Sequence, residues 1–118
     1  MTDLRHHTID PRLEAILTSF ALNAPSDGDC LHTAPRVTKS LQEQGFQART
    51  ATIAGWLDLS ATILGFLHQV TICGETVLDG TARQFYPTLP SAWISPTPEY
   101  LRRLADATGI KHATTFPG

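Results

Sequence analysis

Near the start of the chain, Leu13, Ile16, Leu17 and Phe20 recur at helical spacing and fall on one face. Asp10-Pro11 precedes them. The aspartate can accept from an early orphan N–H, and a proline loses nothing by lacking its own at the first helical position. A first helix is therefore predicted over Pro11 to Leu22. Asn23 to Asp29 is built from turn formers and capping residues and reads as a loop leading to Cys30. From Leu31 to Gln44 the apolar positions Ala34, Val37 and Leu41 share a helical face, and Gly45 supplies a left-handed stop. Pro35 lacks the N–H that a helix beginning at Cys30 would use, so this second helix is either kinked there or regular only from near Ala34.

Gln47 to Ile53 alternates weakly and predicts a poor strand, while Ala54 to Gly65 fits no single pattern. Phe66 to Cys73 and Thr76 to Asp79 are the clearest strands. Gly74-Glu75 between them meets the demand of a type II′ turn for glycine in first place. With that loop, Cys73 pairs Thr76, Ile72 pairs Val77, Val70 pairs Asp79 and His68 pairs Thr81. The period of two then puts His68, Val70, Ile72, Val77 and Asp79 on one face. His68 and Asp79 become diagonal neighbours, roughly 7–8 Å apart at the backbone. Tyr86 to Pro98 carries four prolines and is expected to be an extended, irregular excursion. Thr97-Pro98-Glu99 caps a last helix with Tyr100, Leu101 and Leu104 inward and Gly109 just past its end.

With 118 residues, 42% of them apolar and 17% charged, the chain is expected to form one domain (1–118) around a single core. No apolar run approaches the ~20 residues of a membrane span, and Met1 to His7 has neither the basic nor the apolar part of a secretory leader. A soluble, cytoplasmic protein without a membrane partner is expected. A formal net charge of −2, with nine Lys+Arg scattered along the chain, forms no basic stripe and argues against nucleic acid as a partner. Cys30 and Cys73 read as thiols, because a chain of this size needs no disulfide to fold.

Cys30 at or near a helix start, with His68 and Asp79 on one face of a hairpin, can carry acyl-transfer chemistry. A helix N-terminus favours a thiolate. A histidine can take and return the proton, and an aspartate on the other ring nitrogen fixes the tautomer and stabilises imidazolium. Each residue also has a structural reading: Cys30 as a small apolar residue, His68 as a satisfied core histidine, Asp79 as the opener of the Gly80 turn. Cys73 on its strand reads as core. Trp56 and Trp93 could line a groove or fill the core. His6-His7, His32 and His112 lack metal-ligand spacing, so no metal site is expected, and nothing calls for a cofactor.

Gly28-Asp29-Cys30, a helix ending near Gly45, His68-Gln69-Val70 and the run Val77-Leu78-Asp79-Gly80-Thr81-Ala82-Arg83-Gln84-Phe85 resemble the papain-like and transglutaminase-like cysteine enzymes. The resemblance is closest to the small bacterial papain-fold toxins and protein deamidases and covers about Asp27 to Phe85. It implies an α+β, papain-like fold, with helices packed on a small antiparallel sheet. It also implies Cys30 as nucleophile, His68 as general base and acid, and Asp79 as the orienting member. Such enzymes act on peptide, isopeptide or glutamine side-chain amides of protein or peptide substrates through a thioester. Pro35 inside the nucleophile helix departs from the family. So does the missing glutamine at the position some relatives use for an oxyanion hole. Asn23, Ser26 and the Cys30 N–H are alternative donors there, and Asp29, Gln69, Thr81, Arg83 and Gln84 are further candidates for oxyanion or substrate contacts. Thr81 and Gln84 could equally hold the turn, Phe85 the core, and Arg83 the surface. The alternative to an enzyme is a non-catalytic protein-binding module of the same fold.

Overall fold

Antiparallel pairing organises the chain into a five-stranded sheet of order β4-β3-β2-β1-β5, seen in a computed structural model that describes residues 9–117. The elements are α1 (Pro11–Phe20), α2 (Cys30–Glu43), β1 (Ala48–Trp56), β2 (Leu64–Cys73), β3 (Thr76–Asp79), β4 (Trp93–Pro96), α3 (Thr97–Thr108) and β5 (His112–Pro117). Their arrangement is the α+β fold expected.

The sheet is covered on both faces, which its alternation dictates. On one face Ala51, Ile53, Val70, Ile72 and Val77 pack with Trp93 of β4 and with Tyr100 and Leu104 of α3. On the other, Leu13 and Leu17 of α1 and Val37 and Leu41 of α2 close over Ala48 and Leu78. A buried hydroxyl chain pins α2 to this second face. Thr38 Oγ1 lies 2.8 Å from Thr50 Oγ1 and 2.9 Å from Thr71 Oγ1, and the Thr71 hydroxyl donates to the Ala34 carbonyl at 3.0 Å.

Asp10 caps α1 by accepting from the Arg12 N–H at 2.9 Å, and the helix ends two residues before Leu22, where the chain turns extended at Ala21. The helix α2 begins at Cys30 and runs through Pro35, so the later start near Ala34 is not what occurs. Proline leaves the Leu31 carbonyl, four residues back, without an intrahelical donor. Both residues lie on the exposed side of the helix, where water satisfies that carbonyl at little cost.

The hairpin register pairs Cys73 with Thr76 and Ile72 with Val77 as expected, but the ladder stops at Thr71–Leu78. The pairings of Val70 with Asp79 and of His68 with Thr81 do not form, because Gly80 turns the chain away into a 3-10 turn at Ala82–Gln84. The segment without a single pattern belongs to two strands: β1 continues to Trp56, β2 starts at Leu64, and Asp58 organises the link by accepting from the Thr62 and Ile63 N–H groups. The proline-rich excursion is regular over its last part. β4 pairs with β3 from Trp93 to Pro96, and as an edge strand it tolerates a proline. Thr97 does not cap α3; it is the first helical residue, and its hydroxyl donates to the Glu75 carbonyl at 3.0 Å. Gly109 ends α3 at φ 77°. β5, unforeseen, pairs with β1 from Trp56–His112 to Ala51–Pro117.

Candidate active site

Three elements converge on one point: the start of α2, the middle of β2 and the end of β3. The loop before α2 is folded on itself. The Asp29 carboxylate accepts from the Ser26 N–H at 2.7 Å, the Asp29 N–H reaches the Ser26 carbonyl at 3.2 Å, and Gly28 takes the left-handed φ of 89° that the turn requires. The loop thus delivers Cys30 as the first residue of the helix, with only 4% of its surface exposed. Among the described residues no hydrogen bond uses the Cys30 backbone N–H, as befits a first-turn donor. At the other end Gly80 is buried against α1 and α2, and its carbonyl accepts from the Leu22 N–H at 2.9 Å. That close approach sets the turn following Asp79.

His68 and Asp79 share the sheet face that carries Val70, Ile72 and Val77. His68 Nε2 lies 2.8 Å from Asp79 Oδ2, and both side chains are fully buried. The second carboxylate oxygen accepts from the Thr81 N–H at 2.9 Å, and the Tyr100 hydroxyl donates to Oδ2 at 2.7 Å. His68 Nδ1 is buried and has no hydrogen-bond partner among the described residues, which leaves it available to the thiol.

The three groups shift one another. Burial draws the His68 pKa down, but the charge and hydrogen bond of Asp79, with the nearby Cys30, outweigh it and raise the value to about 9. Burial raises the Cys30 pKa, yet His68 and the Gln69 backbone N–H lower it further, and the net shift is downward against the Asp79 charge. Burial likewise works against the Asp79 anion, and His68, Tyr100 and the Thr81 N–H hold it below the usual carboxylate range. The direction of all three shifts favours a thiolate–imidazolium–carboxylate arrangement. Cys73 behaves in the opposite way: half-buried among apolar side chains, its thiol is pushed up.

Cys30 opens into a cleft of about 600 Å³ lined by Asp27, Gly28, Leu31, Gly65, Phe66, Leu67, Gln84 and Phe85. Phe85 sets its ring edge-on to His68 with centroids 4.8 Å apart and packs on Phe66 at 4.6 Å. The Gln84 amide extends its Nε2 toward Asp27 Oδ1 at 3.5 Å, while its Oε1 is buried without a partner among the described residues.

The remaining candidates lie elsewhere or do other work. Asn23 is exposed and outside the cleft, Ser26 and Asp29 stabilise the loop, and Thr81 serves Asp79. Gln69 meets Cys30 through its backbone, not its side chain. Arg83 donates from Nε to the Leu89 carbonyl at 2.8 Å and ties down the following loop. Trp93 is core, and Trp56 donates to Thr114 Oγ1 at 3.0 Å; neither lines the cleft. His6 and His7 lie outside the described residues; among these no group of three or more His, Cys, Asp or Glu side chains could hold a metal ion. Two contributors escaped the sequence reading. Phe85, a core candidate by sequence, sets its ring against His68. Tyr100, read only as an inward helix residue, bonds Asp79; a buried phenol's need for a partner was the available signal.

The fold is papain-like: a cysteine opens a helix packed across an antiparallel sheet that carries the buried His–Asp pair. Among solved structures the chain is similar, over 98% of its length, to a chain whose crystal structures reveal a thiol-protease-like catalytic triad in the C-terminal region of the Pasteurella multocida toxin. The TM-score is 0.68 and the sequence identity 20%. At that identity the likeness is one of fold, and this chain spans 18% of the other. No family model and no curated protein matches the sequence.

Proposed function

We propose that the protein is a cysteine-dependent hydrolase or acyltransferase acting on an amide of a protein or peptide substrate. The observation that carries this reading is the buried His68–Asp79 pair with Nδ1 unpartnered beside Cys30. In the first half-reaction the Cys30 thiolate attacks the amide carbonyl, forming a C–S bond. The C–N bond breaks as protonated Nδ1 of His68 delivers its proton to the leaving amine. In the second, Nδ1 takes a proton from water or an acceptor amine, which attacks the thioester. The acid or new amide leaves, and the thiolate and imidazolium are restored. Asp79 stays ionised throughout and stabilises the imidazolium.

Cys30 and Gln84 both line the cleft, and the Cys30 N–H and the Gln84 amide suit the oxyanion of the tetrahedral intermediate. Leu31 and Leu67 at the cleft, each more than half exposed, with Phe66 and Phe85 inside it, favour an amide flanked by apolar residues. The Asp27 carboxylate in the lining favours a neighbouring cation.

The test is the pH dependence of Cys30 and Cys73 alkylation by iodoacetamide, read separately by peptide mass spectrometry. Cys30 is expected to react well below pH ~8.5, the range of an ordinary thiol, with Cys73 slow. A Cys30 that titrates as a free thiol would remove the basis for catalysis and leave a binding module.

A further inference from the structure

We propose that Tyr100 is a positioning residue of this site: its hydroxyl clamps the Asp79 carboxylate so that His68 keeps Nδ1 turned to Cys30. The inference rests on the triad reading above and extends it to α3, a helix that contributes nothing to the cleft.

The Tyr100 ring is fully buried and packs on Trp93 with centroids 4.4 Å apart. Trp93 is itself the β4 partner of Asp79, so strand pairing and aromatic packing jointly hold the phenol over the carboxylate. The hydroxyl donates at 2.7 Å to Oδ2, the same oxygen that receives His68 Nε2 at 2.8 Å. Oδ1 is held independently by the Thr81 N–H at 2.9 Å. The carboxylate therefore cannot rotate without breaking a charge-assisted bond in an apolar surrounding, where no water replaces it. Without the phenol, Oδ2 would keep only its bond to His68 Nε2, and carboxylate and imidazole could swing together about the Thr81 anchor.

A donor aimed at a buried anion has a second effect. It makes the local potential less negative, and every coupled group then binds its proton less tightly. The titratable groups facing Asp79 are His68 from β2, Cys30 from α2 and Tyr100 from α3. Removing the hydroxyl should move the whole cluster toward protonation, the Cys30 thiol included.

The experiment compares iodoacetamide alkylation of Cys30 against pH in the wild-type chain, in Tyr100→Phe and in Leu13→Ala, which loosens the core on the opposite face of the sheet and leaves α3 in place. Tyr100→Phe is expected to raise the Cys30 midpoint by about half a pH unit or more, roughly a threefold loss of rate below the midpoint. Leu13→Ala should leave the midpoint in place. Should Tyr100→Phe not fold, 3-fluorotyrosine incorporated into a Tyr86→Phe background labels Tyr100 alone, since the chain has two tyrosines. Its more acidic hydroxyl is a stronger donor and should move the midpoint down. A lowered wild-type midpoint that neither change moves overturns the role of Tyr100 and leaves the triad reading standing. An ordinary wild-type midpoint overturns both.

Discussion

His68 Nε2 and Asp79 Oδ2 meet at 2.8 Å with both side chains withdrawn from solvent. A buried ion pair is a poor source of stability, because the cost of desolvating two charges rivals their attraction. Breaking one is expensive, since the remaining charge is left without compensation. Here the pair is also supported by Tyr100 and the Thr81 N–H, so the loss of one member disturbs every other.

Asp79→Ala should therefore destabilise the fold by about 3–5 kcal/mol, measured by urea unfolding. Asp79→Asn preserves shape but presents an amide where a carboxylate is needed. It should cut amide turnover by about 10²–10⁴-fold, while Cys30 still accepts iodoacetamide. Unchanged turnover would remove Asp79 from the mechanism.

Cys30→Ala should abolish turnover and leave the far-ultraviolet circular dichroism unaltered, because alanine is a small, helix-favouring residue that fits the start of α2. Retained turnover would exclude a thioester. A protein that works only as a binding module would keep its partner in this variant without loss.

Stability should carry the signature of the raised His68 pKa. Because the folded value, about 9, exceeds the ordinary 6.5, the folded state binds that proton more tightly. The resulting stabilisation is complete below pH 6.5 and is lost as the pH rises through about 9. The lowered Cys30 pKa acts in the opposite sense, adding stability as the pH rises toward the ordinary thiol range. Lowered Asp79 contributes above 3.8 and fails as the pH falls through its folded value. In Cys30→Ala the opposing thiol is gone, together with its share of the His68 shift, while Asp79 still raises the His68 pKa, and the urea midpoint should fall as the pH rises above 6.5. His68→Gln in that background should flatten the slope, and a persistent slope would assign it to another group.

Gly55 sits opposite Phe66 in the β1–β2 ladder, and a Cβ added there would come within 2.5 Å of the Phe66 ring. Gly55→Ala should displace that ring from Phe85 and the cleft, costing about 1–3 kcal/mol and weakening turnover. Adding Phe66→Leu should recover part of the stability, a coupling that a double-mutant cycle reads directly. Strict additivity would mean that the ring had already moved aside.

Local chemistry along the chain was enough for several elements. Asp10-Pro11 started a helix, Gly74-Glu75 set the β2–β3 turn, and period-two alternation put His68 and Asp79 on one face, because each depends on neighbours within a few residues. Capping, turn geometry and strand parity are short-range. Their partners are not. β5 and β4 lack strong strand patterns and exist because β1 and β3 offer open edges with hydrogen-bonding groups to satisfy, which no local window reveals. The proline-rich segment looked irregular for the same reason, since an edge position is what makes Pro96 tolerable. At the site, the residue types were legible in Cys30, His68 and Asp79, but the choice among auxiliary residues was not. Gln84 borders the cleft while Arg83, its neighbour, ties down a loop, and that difference comes from the 3-10 turn into which Gly80 directs the chain. Tyr100 reaches Asp79 across twenty-one positions because α3 packs on the sheet face that carries the histidine. Burial and long-range packing assign these roles, since only they determine which polar groups lose water and must find each other.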